Sequence, residues 1–483
     1  MILYILGHKY HYEMENLCRM FYQDAGVRKQ DAGEMPAGRL RVIKPEPAVI
    51  TRISGGEIFV QLRIGRRRLS LARPQSDNNE LIMAQMLFTL LRRATGTAPP
   101  WGLRTGVRPS KLMLRLRRDE NAAAAERYFR STLWVSEEKT QLAAKIAQTE
   151  EPIIALTTLR SFSLYVSIPF CPSRCSYCSF VSHTVDRQSA QKLIPTYVEK
   201  LCEEIAVTAE IARGLGLELA SVYVGGGTPT SLTAEQLRQL CEALRLGFDM
   251  QYGGEFTVEA GRPDTITSEK LQVLKEHGVN RVSVNPQSLD DAVLAQAGRN
   301  HTAKEALDCY ELARKFNFHS VNMDFIAGLP GDTPQGFKRT LEQAAALRPE
   351  NITLHVLALK RAAKLCQLHG ADAGEFLRLA SCVLPPASYQ PYYMYRQSRS
   401  LGNLENIGWS LPGHVCRYNI DMMEESHTIL ACGAGGVTKL KRPGTDYLER
   451  VFGLKYPYEY LNRFDELMER KGKVVDFYRE DTP

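Results

Sequence analysis

From about Leu164 the chain alternates apolar, strand-like runs with intervals of helical length, and this rhythm limits its possible folds more than any other feature. The runs are LYVSI, SVYVGGG, EFTVEA, RVSVNPQ, SVNMDFIAGLP and NITLHVLAL. Intervening stretches such as Gln191 to Arg213 are long enough for crossover helices. Antiparallel strands can turn in two residues, whereas parallel ones need a crossover of a dozen or more, so the spacing predicts βαβ units and a parallel sheet. Six such units point to an open or partial (β/α) barrel, with reactive groups at the carboxyl ends of the strands.

The first strand runs directly into IPFCPSRCSYCSF, which places Cys171, Cys175 and Cys178 on one loop. Soft thiolates select zinc or an iron–sulfur cluster. Structural zinc usually draws its remaining ligands from a second knuckle, and no second Cys or His pair follows. Three cysteines on one loop instead leave one iron of a cubane without a protein thiolate, a vacancy that a bidentate amino acid can chelate. With 11 cysteines in 483 residues, chance would supply this spacing only about 0.006 times. A [4Fe–4S] cluster is therefore favoured over zinc or a purely structural loop. Cys18, Cys202, Cys241, Cys309, Cys366, Cys382, Cys416 and Cys432 are scattered singly, as reduced thiols would be rather than a disulfide framework.

Polar residues recur at the later strand ends. VGGGTPT (Val224 to Thr230) supplies glycines that allow close approach of backbone to a ligand, although alone it is only a turn. Glu259 ends EFTVEA, Gln287 follows RVSVNP, and Asp324 ends VNMD. Converging on a barrel mouth, these side chains could bond ribose hydroxyls or a carboxylate; singly, each could equally be a surface or capping polar. Arg299, in AGRNHT, could pair with a carboxylate in bidentate fashion.

At 483 residues the chain is too long for one core. Residues 1–158 read as a basic α+β module, with a strand near Ile2 to Leu6 and a helix near Tyr12 to Tyr22. Strands VIKPEPAVITRI and EIFVQLRI follow, joined by a Ser54-Gly55-Gly56 hairpin turn, and then helical patterns at 79–93 and 121–148. Residues 159–365 form the barrel. Residues 366–483 read as an irregular, partly helical substrate-covering region, in which HTILACGAGGVTKL is either helix or strand and a helix spans about 458–470. Of the +7 net charge, the first 150 residues hold the whole excess, 25 Lys+Arg against 15 Asp+Glu. The run with Arg63, Arg66, Arg67 and Arg68 could attract nucleic acid or a polycarboxylate, though a solvated strand face is the plainer reading. No run of about eighteen apolar residues appears, and charge arrives too early for a signal peptide. A soluble, cytoplasmic protein with no membrane span is expected.

Taken together, these blocks resemble the radical S-adenosylmethionine superfamily, defined by this cysteine spacing. Within it they resemble the oxygen-independent coproporphyrinogen III oxidase (coproporphyrinogen dehydrogenase) family. The resemblance covers roughly residues 160–440, through LYVSIPFCPSRCSYCSF, VYVGGGTPT, FTVEAGRPD, RVSVNPQS, GRNHT, NMDFIAGLPGDT, NITLHVLALKRA, YYMYRQ…GNLENIGW and ILACGAGGVTK. The last three blocks favour the HemZ-type branch. The resemblance implies a partial (β/α)6 barrel with a [4Fe–4S] cluster on Cys171, Cys175 and Cys178, and cleavage of S-adenosylmethionine to methionine and a 5′-deoxyadenosyl radical. It further implies that Tyr165, Tyr177, Gly226, Glu259 and Val437 line the cluster-bound cofactor, Tyr165 acting with the cysteines in catalysis. Gly227, Thr228, Gln287, Arg299, Asp324 and Ala358 surround a second S-adenosylmethionine, or the space it occupies. The implied reaction converts two propionates of coproporphyrinogen III to vinyl groups in anaerobic heme biosynthesis, with a low-potential donor such as flavodoxin or ferredoxin.

The family's best-known members carry a cysteine two residues after the triplet and a histidine before Ile-Pro-Phe-Cys, where this chain has Phe180 and Ser167. Two other readings therefore stay in view. One is a heme-trafficking protein using His355, His414 or Cys416 as an iron ligand. The other is a radical enzyme acting on RNA, which the absence of aromatics from the arginine run disfavours; nucleic acid is not the expected partner.

Overall fold

The computed structural model describes all residues except 23–26, 32–46, 179, 181–182, 186–187, 251–253, 359–372, 398, 443 and 480–483. The opening VIKPE of the second predicted strand, Lys360, Arg361 and Cys366 lie outside the described residues. The chain divides into two compact units, Met1–Ala144 and Lys145–Pro483. The sequence reading sets its first boundary at 158 and adds another at 365.

In the first unit, strands β1 (Ile2–Leu6), β2 (Arg28–Asp31), β3 (Ala48–Ser54), β4 (Glu57–Ile64) and β5 (Arg67–Pro74) form a sheet ordered β2-β1-β3-β4-β5. Gly55 and Gly56 turn β3 into β4 with φ of 56° and 78°, the positive values that a tight two-residue hairpin demands. Helix Asn79–Thr95 starts where the Asn78 side chain accepts the Leu81 N–H. Its Met83, Met86, Leu87, Leu90 and Leu91 recur at helical spacing and bury against Ile58, Val60 and Leu62 of β4. The arginine run forms the β4–β5 hairpin, where Arg63 stands directly opposite Arg68.

The second unit is built on β6 (Ser161–Ile168), β9 (Glu218–Gly226), β10 (Glu255–Ala260), β11 (Arg281–Val284), β12 (Ser320–Ala327) and β13 (Asn351–Val356). These are the six predicted strands, each parallel to the next. Crossover helices such as Gln188–Gly214 and Ala234–Gly247 connect them. A two-stranded pair, β7 (Phe170–Cys171) with β8 (His183–Thr184), brackets the cysteine loop.

The carboxy-terminal residues enter the same sheet rather than standing apart as irregular cover. β14 (Gln390–Arg396) and β15 (Glu405–Ser410) extend it antiparallel beyond β13. β16 (Thr428–Cys432) lies parallel to β6 as a seventh parallel strand, and β17 (Val437–Lys441) and β18 (Leu448–Phe452) follow it antiparallel. The order is β14-β15-β13-β12-β11-β10-β9-β6-β16-β17-β18. No described helix is long and apolar enough to cross a membrane.

Two polar anchors fix the added segments. Glu255, at the start of β10, accepts the backbone N–H of Arg417 (2.7 Å) and Tyr418 (2.8 Å), placing a carboxylate at the amino end of helix Arg417–Glu424. That helix seats Tyr418 4.4 Å from Tyr223 and 6.3 Å from Tyr165, ring centre to ring centre. The second anchor is Glu204, buried on helix Gln188–Gly214. It pairs with Lys471 of helix Phe464–Arg479 at 2.8 Å, and accepts from Tyr460 Oη (2.8 Å) and the Gly433 N–H (2.7 Å). The turn after β16 is thereby tied to three helices, the third being Pro457–Asn462, which carries Tyr460.

Candidate functional site

The cysteine loop lies over the carboxyl ends of β6, β9 and β10, which send it bonds, and it is also held by the segment that follows helix Asp291–Gln296. Gly227 N–H donates to Ile168 O and Thr228 N–H to Phe170 O, joining the end of β9 to the loop entrance. Cys171 Sγ lies 3.5 Å from Thr228 Oγ1. Arg262, just beyond β10, donates to Ser173 O (3.2 Å) and Ser173 Oγ (3.0 Å). Ala297 O accepts both the N–H and the hydroxyl of Ser176, at 3.1 and 3.0 Å. Arg299 Nε donates to Tyr177 Oη at 3.1 Å.

Cys175 is buried, whereas Cys171 and Cys178 are half-buried, and none of the three is in a disulfide. Burial raises the Cys178 pKa, and the neighbouring Cys175 and Cys171 thiols raise it further. Among the described residues, no three His, Cys, Asp or Glu side chains are close enough to hold a single metal ion. Ligands to three irons of a cubane stand wider apart than ligands to one ion.

Beneath the loop, the end of β9 is kept bare. A Cβ on Gly225 would fall 2.9 Å from the Tyr223 ring and 3.0 Å from the Glu259 carboxyl. Gly226, at φ 111°, would place one 3.0 Å from Ser167 Oγ and 3.2 Å from the Ile168 nitrogen. Tyr165 and Tyr223 are partners in the β6–β9 register, so they share a face and stack 6.4 Å apart. Tyr223 Oη donates to Glu259 Oε1 at 2.6 Å.

Desolvation pushes the Glu259 carboxyl up to about 7; Asp324 raises it too, against the lowering hydrogen bonds from Tyr223 and Gly226. This has a sign that can be checked. Unfolded, Glu259 ionises near the ordinary value of 4.5, so the folded state holds its proton longer and loses relative stability as pH rises from 4.5 through 7. Because the side chain keeps some contact with solvent, the loss is at most about 3 kcal/mol. Glu259→Gln is expected to flatten that decline in denaturant melts of cofactor-free protein; an unchanged slope between pH 4.5 and 7 would assign it to other groups.

Gln287 and Asp324 meet through their backbones, Gln287 N–H donating to Asp324 O at 2.9 Å. Gln287 holds φ 70°, and its buried Oε1 has no hydrogen-bond partner. A strained non-glycine residue carrying an orphaned acceptor is the arrangement expected where a ligand supplies the missing donor. Asp324 accepts from Asn322 (2.7 Å) and lies 3.7 Å from His355, whose ring contacts Tyr395 Oη at 3.4 Å. Desolvation opposes ionisation of Asp324, yet the bonds from His355, Asn322 and Thr353 win and hold its pKa below the usual range. Ala358, just beyond the carboxyl end of β13, bridges Ser400, and Val437 opens β17.

Several contributors were absent from the sequence-derived set. Tyr223 and Tyr418 complete the aromatic wall, and alternation along VYVGGG was the only signal for Tyr223. His301 donates through Nε2 to Pro286 O (3.3 Å), bracing the strained Gln287, and burial drives its pKa down to about 4. Ser167 donates to Ala434 O at 2.7 Å and so ties β6 to the turn after β16. Phe180 is 66% exposed. His414 and Cys416 bond Ser320 and Glu255, the first residues of β12 and β10, at the end of the strands opposite the cysteine loop.

Comparison with known proteins agrees with this layout. The Radical SAM superfamily model matches residues 165–344. The oxygen-independent coproporphyrinogen-III oxidase-like protein HemZ of Bacillus subtilis (strain 168) is 34% identical over 413 residues, covering 83% of this chain and 82% of that protein. The heme chaperone HemW of Escherichia coli (strain K12) is 27% identical over 344 residues, covering 66% of this chain and 86% of that protein. Among solved structures, the coproporphyrinogen III oxidase HemN of Escherichia coli, a radical SAM enzyme, superposes with a TM-score of 0.52 at 23% identity, over 67% of this chain and 73% of that one. The family's cofactors are a [4Fe–4S] cluster and S-adenosylmethionine. Three cysteines outside any disulfide on one loop, a glycine cradle that any Cβ would fill and an unpartnered Gln287 acceptor suit that pair. The chain belongs to the oxygen-independent coproporphyrinogen III oxidase family of the radical SAM superfamily, in its HemZ-type branch.

Proposed function

We propose that this chain oxidatively decarboxylates the propionate side chains of coproporphyrinogen III to vinyl groups, giving protoporphyrinogen IX. Cys171, Cys175 and Cys178 would hold a [4Fe–4S] cluster, with S-adenosylmethionine bound beside it. Bound there, the pair supplies a carbon-centred radical able to take one hydrogen atom from the β-carbon of a propionate. Loss of carbon dioxide and of one electron to an acceptor then leaves the vinyl group.

The chain's own residues bind, orient and shield. Gly226 and Gly227 let backbone approach the methionine portion, while Glu259 and Asp324 accept hydroxyl protons of a ribose. Gln287 Oε1 accepts the donor it lacks, and Tyr177, held by Arg299, covers the adenine. The wall formed by Tyr165, Tyr223 and Tyr418 closes the barrel interior below, excluding water from a reactive radical. The observation that carries the reading is the strained Gln287, with its orphaned acceptor, bonded through its backbone to Asp324 just beyond the carboxyl end of β11.

A second reading follows from the relatives named as heme chaperones. Of its three ligand candidates, only His355 lies at the loop end of the strands, so a heme iron here would rest on that side chain. Anaerobic incubation of reconstituted protein with coproporphyrinogen III, dithionite and S-adenosylmethionine separates the two. The proposal expects vinyl products and 5′-deoxyadenosine; saturable heme binding lost in His355→Ala, without vinyl product, would favour the chaperone reading.

A further inference from the structure

Arg262, which the sequence offers only within FTVEAGRPD, contacts the cluster loop at both Ser173 and Cys175. Its side chain is 3% exposed, and its three nitrogens are all used. Nε and Nη2 form a fork on Asp264, at 3.0 and 2.9 Å. Nη2 also reaches Ser173 Oγ, and Nη1 reaches Ser173 O (3.2 Å) and Cys175 Sγ (3.8 Å). One guanidinium therefore bridges the loop backbone, a thiol and a carboxylate. Cys175 is the buried thiol of the three, so water competes least for its sulfur.

We propose that Arg262 and Asp264 form an opposed pair that sets the reduction potential of the cluster through Cys175: the guanidinium raises it and the carboxylate holds it down. An N–H···S bond and a nearby positive charge stabilise the more negative, reduced cluster, so they favour reduction. Asp264, 2.9 Å from the same guanidinium, offsets much of that charge and aims the fork at Ser173 and Cys175. Arg262 is a positioning residue, acting through a cluster ligand without meeting the substrate. The inference rests on Cys175 being a ligand, which iron content in Cys175→Ala tests separately, and it holds whatever substrate the radical attacks.

The test is an EPR-monitored redox titration of the reconstituted protein without S-adenosylmethionine, with iron and sulfide measured per chain. Arg262→Gln is expected to move the midpoint potential below wild type, and Asp264→Asn to move it above. A role confined to fastening the loop would lower cluster content in both variants without opposite shifts. The proposal is overturned by shifts of the same direction or by an unchanged potential in Arg262→Gln that keeps its cluster. If Arg262→Gln cannot hold a cluster, Asp264→Asn decides alone: an upward shift supports the proposal, and no shift or a downward one overturns it.

Discussion

Replacing any one of Cys171, Cys175 or Cys178 with alanine is expected to leave a folded protein that carries little iron and sulfide and forms no measurable 5′-deoxyadenosine. The loop crosses the strand ends and adds little to the core, since two of its three thiols are half-buried, so melting should change slightly. The chemistry should fail completely, because a cubane held by two protein thiolates has lost the single open iron that the cofactor needs. Iron and sulfide per chain, together with chromatography of the nucleoside product, decide the matter. A full cluster in a single variant would mean that the ligand set has been misassigned.

The largest effect on stability is expected from Lys471→Met. Glu204 and Lys471 are both buried and paired at 2.8 Å, so removing the cation strands a carboxylate that Tyr460 and the Gly433 N–H alone must satisfy. Breaking such a pair typically costs about 3–5 kcal/mol, whereas replacing both partners costs far less. Glu204→Gln combined with Lys471→Met should therefore recover much of the loss, as read from denaturant midpoints at unchanged slope. An equal or larger loss in the double variant would show that shape, not charge, holds these helices together.

The six parallel strands were legible because each is an apolar run bounded by helical spacing, and the site candidates followed from their carboxyl ends. Other elements were hidden for physical reasons. HTILACGAGGVTKL contains β16, yet a short apolar run buried on both faces has no periodicity to separate strand from helix. β14 and β15 sit in an aromatic, glycine-bearing stretch where Gly408 is packed against the Tyr393 ring, a pairing visible only in space. The first boundary differs because helix Glu137–Ile154 runs through the division between the units, so the pattern changes only where it ends. Arg262 escaped attention because its partners on the cysteine loop lie 89 and 87 residues away, and an arginine followed by proline carries no local mark of such contacts.

The central claim is that this site directs a radical onto a propionate β-carbon. It is tested most directly by supplying coproporphyrinogen III deuterated at those carbons and measuring the mass of the 5′-deoxyadenosine formed. The account predicts one deuterium in the nucleoside for each vinyl group produced. Unlabelled 5′-deoxyadenosine, or label without loss of carbon dioxide, would contradict it.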